Sequence, residues 1–115
     1  MAGNNAINFV PPQGVRRALA RGLELKDEYG GKGLVEETVD WARHLAAGRQ
    51  ASPEKARKMH GWFARHKADK RPGWARPPTP GYVAWLLWGG DAGVRWAKKL
   101  CEQMDRGKRS SRAKR

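Results

Sequence analysis

Residues 79–99 read TPGYVAWLLWGGDAGVRWAKK, and this stretch decides the fold. Its only charge before Arg95 is Asp91, in a chain of 115 residues with formal net charge +13. It holds Trp85, Trp88 and Trp96, half of the six tryptophans. Gly89-Gly90 is a helix-breaking pair, and Asp91 after it is a good N-cap residue. The pattern predicts helix, tight turn, helix, with bulky aromatics packed around the turn. Each aromatic can bury about 150–250 Å², so a small domain gains much core from few positions. Trp85 and Trp88, three apart on one helix, are both expected in that core with Trp96.

Working outward, Pro11-Pro12 marks the entry to a helix over about 12–29, where Val15, Ala18, Leu19, Gly22, Leu25 and Tyr29 recur at helical spacing. Gly30-Gly31-Lys32-Gly33 is a stop and linker; it lacks the spacing and the preceding strand of a phosphate-binding loop. A second helix is expected over 34–47, with Val35, Val39, Ala42, Leu45 and Ala46 inward and Glu36, Glu37 and Asp40 toward its positive end. Ser52-Pro53-Glu54 is a helix start, and the third helix is expected to run to about Asp69. Ala56, Met59, Phe63 and His66 share one of its faces, Trp62 flanks that face, and Arg57, Lys58 and Arg65 point the other way. A Pro-rich basic loop follows over 70–81. Then come a short helix at 80–88 and a last helix at 91–105, whose Gly93, Val94, Ala97, Leu100, Cys101 and Met104 face inward.

The reading is an all-α fold: a flexible segment 1–10, a compact domain of about five short helices over 11–105, and a disordered basic tail over 106–115. No strand pattern, internal repeat or long heptad run is present. No run reaches the roughly 20 apolar residues of a membrane span, and the N-terminal residues do not read as a secretory signal. A single cysteine, Cys101, excludes an intrachain disulfide and fits a reducing compartment.

Positive charge is uneven. Residues 41–76 hold ten Lys or Arg against two acids, and residues 106–115 hold six against none. Nucleic acid is the default polyanion for such a pattern, through phosphate neutralisation and counterion release. The candidate contacts are Arg57, Lys58, Arg65, Lys67, Lys70, Arg71, Trp74 and Arg76, with Arg106, Lys108, Arg109, Arg112, Lys114 and Arg115 of the tail. Trp74, between Arg71 and Arg76, is read either as a base-stacking residue or as a side chain that folds back to pin its loop.

Catalytic chemistry finds no footing. His60 and His66 are six apart and cannot chelate one metal as an i, i+4 pair does. No CxxC accompanies Cys101, which is read as a small buried hydrophobe. His66 is expected to bond a backbone carbonyl or Asp69. No catalytic residue, metal or cofactor is assigned.

SPEKARKMHGWFARHKADK (52–70), Gly73-Trp74 and PGYVAWLLWGGDAGVRWAKK (80–99) together resemble a small module associated with tailed-bacteriophage head-assembly proteins. The similarity spans about Val10 to Asp105 and excludes the basic tail. FARH at 63–66, Asp69-Lys70 and AWLLWGGDAG at 84–93 are its most specific parts. The module has no established activity, so the resemblance implies a phage origin and work near DNA packaging or capsid assembly. The expectation is a non-enzymatic phage protein that binds nucleic acid, DNA before RNA, with little sequence preference. It would act in the bacterial host cytoplasm or on the virion. The alternative is a module that binds a capsid or host protein through its tryptophan surface. Neither reading involves a membrane or a small-molecule substrate.

Overall fold

The structure, a computed structural model, describes residues 7–113 apart from Lys32, with side chains described as far as Gly107. Five α-helices follow in order: α1 Gln13–Tyr29, α2 Glu36–Ala46, α3 Pro53–His66, α4 Pro80–Leu87 and α5 Gly90–Ala113. A 3-10 turn, Lys67–Asp69, continues α3. Among the described residues the only extended pairing is an isolated bridge between Ala75 and Pro78. The fold is all-α, as the sequence predicts.

The central element is α1, which packs on α2, α4 and α5, while α3 packs on α5. Its buried positions, Val15, Leu19, Gly22 and Leu25, follow the helical period that defines an inward stripe. Gly22 is required by the α1–α4 crossing: a Cβ there would lie 3.0 Å from Leu86 Cβ and 3.0 Å from the Leu87 backbone nitrogen. Tyr29, at the end of the same stripe, is 57% exposed and borders a hollow beside Pro78 and Tyr82. Val35 also leaves the core. It precedes α2 with extended backbone and is 63% exposed.

Local chemistry starts α3 and α4 as the sequence implies. Ser52 Oγ accepts from the Lys55 N–H at 3.0 Å and Thr79 Oγ1 from the Tyr82 N–H at 3.2 Å, each with Pro at the first helical position. The α4–α5 turn differs in its cap. Gly89 and Gly90 take φ of 120° and 65°, values that favour glycine. The Gly89 carbonyl already accepts from the Gly93 N–H at 2.9 Å, so α5 begins at Gly90. Asp91 therefore lies inside the first turn and does not cap it. Its Oδ1 accepts instead from Trp85 Nε1 at 2.9 Å and from Lys70 Nζ at 2.9 Å.

The helices α3 and α5 run antiparallel. Arg57 pairs with Asp105 at 2.9 Å, Cys101 Sγ donates to the Ala56 carbonyl at 3.8 Å, Phe63 lies over Gly93, and Lys70 meets Asp91. Burial raises the Cys101 thiol pKa, which suits an inert core position. Past Asp105 the backbone stays helical to Ala113, where a tail was expected. Lys and Arg are good helix formers, and cations suit a helix C-terminus. Turns already docked on the core remove the cost of nucleation. Lys114 and Arg115 lie outside the described residues, as do the side chains of Lys108, Arg109 and Arg112. At the other end, Ile7 and Phe9 pack partly against the core and the Phe9 carbonyl accepts from the Ala51 N–H at 2.9 Å. The lead-in is thus tied down from residue 7, while residues 1–6 lie outside the described set.

Candidate functional site: a tryptophan groove and a divided basic surface

Trp85 and Trp96 are buried, but Trp88 is only half-buried, which corrects the expectation for that residue. The short α4 ends at Leu87, so Trp88 sits on the turn and its ring lies out against α3. There it stacks on Trp62 with centroids 4.9 Å apart and planes 11° apart. On α3, His66 stacks on Trp62 at 4.3 Å. Lys55 places its ammonium 3.9 Å from the centre of the Trp88 ring and 5.4 Å from that of Trp41. Lys55, Trp62 and His66 occupy one stripe of α3, seven and four residues apart. The Trp88 ring enters that stripe from the α4 side.

Lys55 is only 4% exposed, unusual for a lysine. Burial lowers its pKa from the ordinary lysine value to about 8, against the opposing field of Glu37 and with a small further push from Lys58. Glu37 is paired with Lys58 at 3.6 Å across the mouth of the groove. Two adjoining hollows make up the groove. One of about 240 Å³ lies over Lys55, between Trp41, Trp62 and Trp88. The other, of about 300 Å³, is lined by His66, Asp69, Ala84 and Trp85. They share Val35, Thr38, Trp62 and Trp88.

The sequence-derived cations do not form one surface. Arg57 is paired with Asp105, Lys58 with Glu37 and Lys70 with Asp91. Arg65, Lys67, Arg71 and Arg76 are exposed, with no ion pair among the described residues. Fourteen residues of α5 separate Asp105 from Asp91, about 21 Å at 1.5 Å per residue. Arg57 and Arg106 therefore lie at one end of the α3–α5 pair, and Lys67, Lys70 and Arg71 at the other. The shared face expected for Arg57, Lys58 and Arg65 is split: Arg57 turns to α5, and Lys58 turns to α2.

Trp74 meets Tyr82 edge-on at 5.4 Å and Trp85 at 5.8 Å, so it folds back and pins its loop. His66 Nδ1 lies 2.9 Å from Asp69 Oδ2, one of the two expected partners. The Asp91 carboxyl tends upward through burial, but the bonds from Lys70 and Trp85 outweigh that and hold it below the ordinary carboxylate range.

Sequence reading missed Lys55 and Trp41, and it missed Arg95, Lys98 and Lys99, which are exposed along α5. A signal existed for Lys55, since it falls on the Trp62–His66 stripe; counting it as one more cation hid that register. Among the described residues no group of three His, Cys, Asp or Glu is placed to hold a metal ion. No helix among them is long and apolar enough to cross a membrane. Comparison with protein-family models, curated proteins and solved structures finds no match to this chain.

Proposed function

We propose that this chain is a non-enzymatic nucleic-acid-binding protein that acts through phosphate contacts. In keeping with the phage-module resemblance of residues 10–105, it would be phage-encoded and act in the host cytoplasm or on the virion. The observation that carries the reading is a set of exposed cations without an ion pair among the described residues: Arg65, Lys67 and Arg71 at and just past the C-terminal end of α3, and Arg76 in the loop beyond, beside α1. A cation already matched to a protein acid must give up that partner to neutralise a phosphate and displace its condensed counterion, whereas an unmatched cation need not. Arg95, Lys98, Lys99 and Arg106 on α5 extend the same potential, and the chain continues into Lys108, Arg109, Arg112, Lys114 and Arg115. Phosphate contacts carry no base information, so sequence preference should be slight, and DNA is the proposed partner before RNA.

The test changes Arg65, Lys67 and Arg71 together to Gln and measures binding to one duplex at several salt concentrations. Loss of three phosphate contacts should shallow the slope of log K against log salt by about 2.7 units. Changing Arg57, Lys58 and Lys70 should alter it less, because their acids are already in place. Equal slopes for wild type and the first variant would refute the reading.

A second reading, a protein-interaction module that meets a capsid or host protein, is favoured by the groove. Trp62, Trp88 and the 63%-exposed Val35 form apolar surface that α2, α3 and α4 leave open. Tryptophan is a preferred interface anchor. A complex with a phage or host protein that survives high salt would support it.

A further inference from the structure

The groove is an unusual place for a lysine. Among the described residues Lys55 has no carboxylate within ion-pair distance, and its ammonium rests on the faces of Trp88 and Trp41. The two hollows, about 240 and 300 Å³, adjoin across Trp62 and Trp88. Together they reach the size range of small-ligand pockets, which are mainly apolar with a few convergent polar groups. The charges facing Lys55 are Glu37 from α2 and Lys58 from its own helix; the groove-lining residues of α4 carry none. With Lys55 protonated, these three groups carry one net positive charge at the Lys55 end. At the far end His66 and Asp69 are already joined.

We propose that the groove between Trp41, Trp62 and Trp88 binds a small aromatic carboxylate, with its ring in the Trp62–Trp85 hollow and its carboxylate on the Lys55 ammonium. One carboxylate brings the Lys55–Lys58–Glu37 set to neutrality, and a dianion would overshoot it. The ring replaces water against Trp62, Trp85 and Ala84, which line that hollow. The carboxylate gives Lys55 the charge-assisted partner it lacks. The site is separate from the unpaired cations Arg65, Lys67 and Arg71, so it stands or falls independently of nucleic-acid binding.

The bound anion favours the charged amine and therefore raises its pKa. Binding draws in a proton wherever Lys55 is neutral in the free protein. Affinity should be flat below pH 8 and fall about tenfold per pH unit above it.

The experiment titrates the full chain calorimetrically with 2-naphthoate and with neutral 2-naphthamide. The acid should bind at least about tenfold more tightly at pH 7, as a hydrogen bond to a charged group implies. Lys55→Met should abolish that preference and the fall above pH 8, while leaving the duplex titration unchanged. Lys55→Arg should keep the preference but lose the pH dependence. The proposal is overturned if acid and amide bind wild type equally, if neither binds, or if Lys55→Met keeps the preference.

Discussion

Replacing Lys55 with Met should stabilise this protein, although it removes a charge that touches two tryptophans. The folded state holds the amine at a pKa of about 8 against an ordinary 10.5. At about 1.36 kcal/mol per unit, keeping the buried ammonium charged at neutral pH costs roughly 3 kcal/mol. Cation–π attraction to Trp88 and Trp41, out of water here, returns about 2 kcal/mol, and the Met thioether recovers part of that on the same ring. The net expectation is a gain of about 1–2 kcal/mol at pH 7. The sign with pH follows from proton counts. Between pH 8 and 10.5 the unfolded chain binds the proton that the folded chain has lost, so wild-type stability rises with pH across that window. The advantage of the variant should therefore shrink to under about 1 kcal/mol at pH 10. Urea unfolding of both proteins at pH 7 and pH 10 measures the difference, and titration of the other lysines largely cancels. A variant less stable than wild type at pH 7, or a difference unchanged by pH, would refute the account of Lys55 as a desolvated amine.

Three further outcomes are expected. Gly22→Ala should destabilise by about 1–3 kcal/mol, the usual range for overpacking, since its methyl would meet the Leu87 backbone at 3.0 Å; a melt matching wild type would show that α1 and α4 can part freely. Trp85→Ala should cost about 3–5 kcal/mol and Trp88→Ala clearly less, because the second ring is half-buried; equal losses in thermal melts would contradict the burial difference. Deleting residues 106–115 should leave the melting temperature nearly unchanged. It should shallow the salt slope of duplex binding by no more than about five units, and unaltered affinity at low salt would remove that segment from binding.

Particular residues show where sequence reasoning reached. The helices were legible because their starts carry side-chain oxygens and prolines, as at Ser52-Pro53 and Thr79-Pro80, and because Val15, Leu19 and Leu25 keep one period. The turn at Gly89-Gly90 was legible for the same local reason. Asp91 was misread because its true partners, Trp85 and Lys70, come from other segments. Trp88 was misassigned because spacing within α4 does not reveal how far the helix extends toward α3. Arg57 and Lys58 looked like free cations until α5 supplied Asp105 and α2 supplied Glu37. The end of α5 was placed too early because composition does not register that docked turns carry a basic segment along. Pairing between distant segments decides which cation is free and which ring is exposed, and no periodicity encodes it.

The antiparallel docking of α3 on α5 also sets an order of events during synthesis. Arg57 and Asp105 are 48 residues apart in sequence, and α5 is the long helix on which α3 packs its face of Ala56, Met59 and Phe63. The neighbouring pair α1 and α2 closes over a short linker, so it can form while the remainder is still being made. The α3 helix must wait for the last helix to emerge from the ribosome, exposing its apolar side for the interval. Ribosomes stalled before residue 100 should therefore hold a chain with a formed first hairpin and a sticky third helix. A chaperone or a second nascent copy would find its target there.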